Sequence, residues 1–145
     1  MTEVAFHFNA PDKLAYACRL LRKATSSGSR LVVTGEPELL RRLDVALWTF
    51  SPLEFLPHCF TDSDPAMLAA SPIVLAEEVQ RTPHQQVLVN LGNGVPAGFE
   101  RFERLIEVVE EGDEADRLAA RSRWKHYADR GYAITRHDLA TKGAS

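Results

Sequence analysis

The chain has 145 residues, 45% of them hydrophobic and 26% charged. That suits one domain with a sizeable core and is too apolar for a disordered protein. A formal net charge of −3 argues against sequence-independent binding to duplex DNA, which draws on a basic footprint.

No stretch reaches the ~18 apolar residues of a membrane span, and Met1-Thr2-Glu3-Val4 lacks the basic-then-apolar order of a signal peptide. Cys18 and Cys59 have no C-x-x-C or Cys/His ligand spacing. They are expected to be reduced core thiols in a cytoplasmic protein.

Val4 to Phe8 reads as a first strand, ended by the turn signal Asn9-Ala10-Pro11. Asp12 to Ala24 has helical period, with Leu14, Ala17, Cys18 and Leu21 on one face, and Ser26-Ser27-Gly28-Ser29 ends it. Arg30 to Thr34 is a β-rich run suited to a buried parallel strand. After Gly35, Pro37 in a first helical turn opens a second helix. On it Leu39, Leu43, Ala46 and Phe50 share a face at i, i+4, i+7 and i+11. Trp48 then points roughly 180° away, because each residue advances ~100° about the axis. An outward indole needs a cover, either a loop of this chain or another protein.

Ser51-Pro52 stops that helix, and Phe55 to His58 is a short extended piece that Pro57 assigns to a sheet edge. Asp62 to Ala70 reads as a polar loop with one weak helical turn. Ile73 to Ala76 and Gln86 to Leu91 are further strands, the second the stronger. The loop Gly92-Asn93-Gly94-Val95-Pro96 leads to a short helix near Ala97–Phe102. Leu105 to Val109 can continue that helix, but its β-branched content favours a strand. Asp113 caps a final helix from Glu114 to about Arg130, ended by Gly131. Strands alternating with helices predict a three-layer α/β domain, its sheet mostly parallel and flanked by helices. It is expected to span residues 1–140 as a single domain, with 141–145 a frayed tail.

Catalytic signatures are sparse. The chain has no G-x-x-x-x-G-K-[ST] and no G-x-G-x-x-G after the first strand, so no nucleotide-binding loop is predicted there. Gly92-Asn93-Gly94 follows a strand and can form an anion nest, which leaves a small nucleotide-binding domain or enzyme as the alternative class. A lone G-x-G reads first as a flexible connection. No G-x-S-x-G elbow or zincin spacing occurs among the five histidines. His7 reads as a hydrogen-bonded strand residue and His58 as a turn-fixing one. Glu77-Glu78 and Glu110-Glu111 are sequence neighbours that do not converge on one site, and read as solvated charge. No metal, no cofactor and no enzymatic activity are expected.

The final helix says more. Between Arg117 and Arg136 stand six Arg or Lys residues and one acid, Asp129. Arg117, Arg121 and Lys125 at i, i+4 and i+8 form a stripe ~80° wide, with Trp124 at about −20° and Ala128 at about +20° on the same wheel. Cations beside an indole, with a small residue leaving room, suit an aromatic group that also carries an anion. Hydrogen bonds from Arg to a carboxylate contribute ~1.5–3 kcal/mol each before screening. A free C-terminus ending in an aromatic residue combines both features. The plainer reading is a solvated basic helix anchored to the sheet by Trp124.

Taken in order, L-D-V-A-L-W with F-L-P-H behind it (Leu43–Trp48, Phe55–His58) and R-x-R-W-K-x-Y (Arg121–Tyr127) running into Gly131-Tyr132 resemble the chi subunit of bacterial DNA polymerase III holoenzyme. The strand F-H-F and the helix–S-G-S-R–strand unit fall in matching places, so the resemblance spans nearly the whole chain. It implies a Rossmann-like fold without a nucleotide site and a non-enzymatic adaptor of the clamp-loader complex. One face would bind a psi subunit through Trp48 and Phe55. A separate site would bind the acidic, Phe-ending C-terminal tail of single-stranded DNA-binding protein through Arg117, Arg121, Trp124 and Lys125. A DNA-repair helicase is a further partner class that the resemblance suggests. The aromatic residue in the tail site is Trp124 where the family pattern would have Tyr.

Overall fold

A computed structural model describes residues 1–49, 56–79 and 82–140. In chain order the elements are β1 (Glu3–Ala10), α1 (Lys13–Ser26), β2 (Leu31–Thr34), α2 (Pro37–Thr49), β3 (His58–Phe60) and α3 (Pro65–Ala70). β4 (Ile73–Leu75), β5 (Val87–Asn90), a 3-10 turn at Phe99–Arg101, β6 (Arg104–Glu110), α4 (Glu114–Asp129) and β7 (Ile134–Asp138) follow. The strands make one seven-stranded sheet in the order β3-β4-β2-β5-β6-β1-β7, with every neighbouring pair parallel. The predicted sheet is thus parallel throughout, in a single α/β domain.

Strand alternation sorts the core into two layers. Leu31, Val33, Ile73, Leu75, Val87, Val89, Ile106 and Val108 face α1 and α2, which bury Ala17, Cys18, Leu21, Leu40, Leu43 and Leu47 against them. Val4, Phe6, Val32, Val74, Leu88, Leu105 and Val109 face the other way, toward Phe99, Phe102, Ala120 and Tyr127. β2, β4 and β5 are buried along their whole length because helices or loops cover both faces. Cys18 and Cys59 are both buried and reduced.

The cap expected at Asp113 forms, and two that were not expected, at Asp12 and Asp64, use the same chemistry. Asp12, Asp64 and Asp113 each accept a hydrogen bond from the backbone amide three residues on, at Ala15, Met67 and Asp116. β3 is an edge strand, as Pro57 suggested, but it runs from His58 to Phe60 and not over Phe55 to His58; Pro57 precedes it and Phe55 lies outside the described residues. Leu105 to Val109 is strand β6, held between β5 and β1.

Four further expectations are corrected. The buried stripe of α2 is Leu40, Leu43 and Leu47, with Leu39 and Ala46 flanking it; Phe50 lies outside the described residues. The polar segment near Asp64 forms the six-residue helix α3, because Asp64 caps it and Pro65 presets its first turn. The short helix expected at Ala97–Phe102 is only a 3-10 turn, entered from Gly98 at φ 89°. Finally β7, beyond the last predicted element, pairs with β1 from Val4↔Ile134 to Phe8↔Asp138. Its sequence I-T-R-H-D carries a single apolar residue, so hydrophobic pattern could not reveal it.

Candidate protein-interaction sites

Residue type alone misjudges one cation of the final helix. Arg123 is 1% exposed and its Nε donates to Glu107 Oε1 at 2.9 Å, while Glu107 is itself sealed at the centre of the sheet. Tyr127 Oη donates to Glu107 Oε2 at 2.5 Å and Asn90 Nδ2 to Oε1 at 3.0 Å. Burial pushes the Glu107 carboxyl above the ordinary carboxylate range, and Arg123, Tyr127 and Asn90 pull it partway back. Burial and the neighbouring Glu107 together push the Tyr127 phenol up, so it stays a donor. Arg123 therefore contributes structure, not surface charge.

The predicted stripe does form on the other flank of α4. Arg117, Arg121, Lys125 and Ala128 are all exposed, and Trp124 is half-buried where that flank meets the sheet. The indole packs on Phe6 with ring centroids 5.1 Å apart. Arg117 lies 3.9 Å from Glu114 and Lys125 3.2 Å from Asp129; both pairs are exposed, so their net worth is small and a better anion can displace them. Arg121 has no ion pair among the described residues. A group missed in the sequence enters from β7, where the Arg136 guanidinium lies 5.1 Å from the Phe8 ring centroid and 5.8 Å from that of Trp124.

Trp48 belongs to the opposite face and the opposite edge of the sheet. It is 58% exposed and its neighbour one turn earlier, Val45, is 61% exposed, making a small apolar patch on α2. The indole meets the His58 ring at 5.3 Å. His58 is fixed in turn by Asp44 Oδ1 at 2.9 Å and the Leu56 carbonyl at 2.6 Å. The expectation for Phe55 falls outside the described residues. His7, as expected for a strand residue, is hydrogen-bonded, its Nδ1 2.5 Å from the Tyr16 hydroxyl.

Sheets of this topology bind nucleotides in the crevice at the carboxyl ends of strands where the order reverses, here β2 and β5. Gly35 and Gly92 approach closely there: a Cβ on Gly92 would meet the Gly35 Cα at 3.4 Å and Asn90 Oδ1 at 3.3 Å. The cavity beside them is lined by Asp12, Glu36, Glu110, Asp113 and Asp116 against Lys13 and Arg42, a balance that disfavours a phosphate. The loop beyond is strapped, not the loose connection its composition suggested. The Gly92 amide donates to Asn90 Oδ1 at 2.9 Å, Asn90 Nδ2 donates to the Gly94 carbonyl at 3.0 Å, and Arg123 donates to the Asn93 carbonyl at 2.9 Å. Hydrogen bonds within the domain thus occupy the amide that a phosphate nest would offer first. Among the described residues no cluster of His, Cys, Asp or Glu could hold a metal ion, and no helix is long and apolar enough to cross a membrane.

The fold is a doubly wound α/β domain with a largely acidic cavity at its strand ends, exposed cations beside Trp124 on α4 and an exposed indole, Trp48, on α2. Residues 1–135 match the model of the family described as "DNA polymerase III chi subunit, HolC". The chain is 32% identical over 144 residues to the DNA polymerase III subunit chi of Pseudomonas aeruginosa, covering 96% of this chain and 98% of that protein. To the DNA polymerase III subunit chi of Haemophilus influenzae it is 27% identical over 125 residues, 85% of each chain. The chain belongs to the DNA polymerase III chi subunit family, an accessory subunit of the replicative polymerase.

Proposed function

We propose that this chain is a non-enzymatic replication adaptor, joining the clamp-loader complex to single-stranded DNA coated by its binding protein. The observation that supports it most is the half-buried Trp124 beside the exposed cations Arg117, Arg121 and Lys125. In this reading the aromatic end of the acidic C-terminal tail of single-stranded DNA-binding protein packs on Trp124. Arg121 and Lys125 hold the terminal carboxylate and Arg117 the acidic residues before it. Trp48 and Phe55 face a psi-type subunit or an equivalent clamp-loader partner, and a DNA-repair helicase is a further candidate for that surface. The partner assignments follow from the family resemblance; burial and residue chemistry support them at Arg117, Arg121, Trp124, Lys125 and Trp48, while Phe55 lies outside the described residues.

Calorimetric titration with a synthetic acidic peptide ending in phenylalanine tests the tail site. Arg121→Ala is expected to weaken binding roughly 10-fold, the worth of one charge-assisted hydrogen bond partly screened by solvent. Affinity should also fall as ionic strength rises, because the attraction is mostly between charges. Equal affinity for variant and wild type would remove the stripe from the reading.

A further inference from the structure

The tail site has cations from α4 beside its indole, and the structure brings a further cation to the same ring from β7. Parallel pairing sets Phe6 beside Arg136 and Phe8 beside Asp138. Period-two alternation then sends Phe6, Phe8 and Arg136 to the same face of the sheet, the one on which α4 lies. There the Arg136 guanidinium lies against two rings, those of Phe8 and Trp124. Arg136 is exposed and has no carboxylate within ion-pair distance among the described residues. A guanidinium held near two rings and without a carboxylate partner has N–H groups available for a planar anion, which it can grip with two parallel hydrogen bonds.

We infer that Arg136 is a specificity-determining residue of the tail site, reading the free terminal carboxylate of the bound peptide. The inference rests on the adaptor reading above and deepens it. In a C-terminal aromatic residue only Cα and Cβ separate the carboxylate from the ring. A ring packed on the open part of Trp124 therefore brings the terminal carboxylate, and not the side-chain carboxylates upstream, beside Arg136. Arg121 and Lys125 share that carboxylate from α4, but on their own they answer to negative charge in general. Arg136, preset by Phe8 and Trp124, adds a demand for a chain end next to an aromatic ring. Preset orientation also spares the entropy that a mobile lysine would lose on binding.

The test compares two synthetic acidic peptides ending in phenylalanine, one with a free carboxylate and one amidated, against wild type, Arg136→Gln and Arg136→Lys. Arg136→Gln is expected to weaken the free-acid peptide about 10-fold while changing the amide little, so that discrimination between the two shrinks. Arg136→Lys keeps the charge but loses the fork and the stacking, and should fall between; it also carries the test if the glutamine variant does not fold. Unchanged free-acid affinity, or equal losses for acid and amide, would overturn the assignment while leaving the tail site standing. Failure of the wild-type chain to bind either peptide would overturn both.

Discussion

Arg123 sits two residues from Arg121 and two from Lys125, yet shares nothing with them but charge. At the centre of the α4 face that meets the sheet, it neutralises Glu107, which β6 would otherwise bury alone among Val and Leu side chains. Arg123→Leu leaves that carboxylate without its counter-charge and is expected to lower stability by about 3–5 kcal/mol in urea denaturation. Replacing both partners, Arg123→Leu with Glu107→Leu, should recover only part of the loss: it removes the unpaired charge but leaves Tyr127 Oη without its acceptor and Asn90 Nδ2 with one acceptor fewer. Spacing already separated Arg123 from the Arg117–Arg121–Lys125 stripe. Its burial was invisible because the partner, sixteen positions earlier in the chain, lies on another element.

The position of α4 decides whether its stripe and Trp124 form one surface, and the helix start sets that position. Asp113 accepts the Asp116 amide at 3.0 Å, and Asp116 in turn bonds the Glu110 amide at 2.9 Å and Lys13 Nζ at 2.8 Å. The cap thus ties α4 both to the end of β6 and to the start of α1. Asp113→Ala is expected to cost about 1 kcal/mol of stability, read by urea denaturation, through the orphaned amides of the first turn. This cap was legible in the sequence, because capping is a local transaction between neighbouring residues. β7 was not legible: an edge strand gains its hydrogen bonds from a partner and needs apolar residues on neither face.

Across the whole molecule, Trp48 and Trp124 occupy opposite faces of the sheet and opposite edges, one beside β3 and the other against β1 and β7. In the proposed adaptor role, this separation would let two partners bind without competition. Trp48→Ala is accordingly expected to leave tail-peptide affinity within about twofold of wild type in calorimetry, as distant sites without shared contacts behave. The same variant should reduce co-purification of a psi-type partner. A large loss of peptide affinity would mean that the two surfaces are coupled.

Most elements that bury apolar residues were readable from the chain alone, as were the Asp113 cap and the exposed stripe of Arg117, Arg121 and Lys125. Each depends on periodicity or on contacts within a few residues, which a linear sequence records directly. Tertiary structure alone decided that Arg123 turns inward to Glu107, that Gly35 and Gly92 approach closely at the strand ends, and that β7 delivers Arg136 to the indole. Those outcomes depend on which strands become neighbours, and pairing between residues a hundred positions apart leaves no periodic trace in either segment.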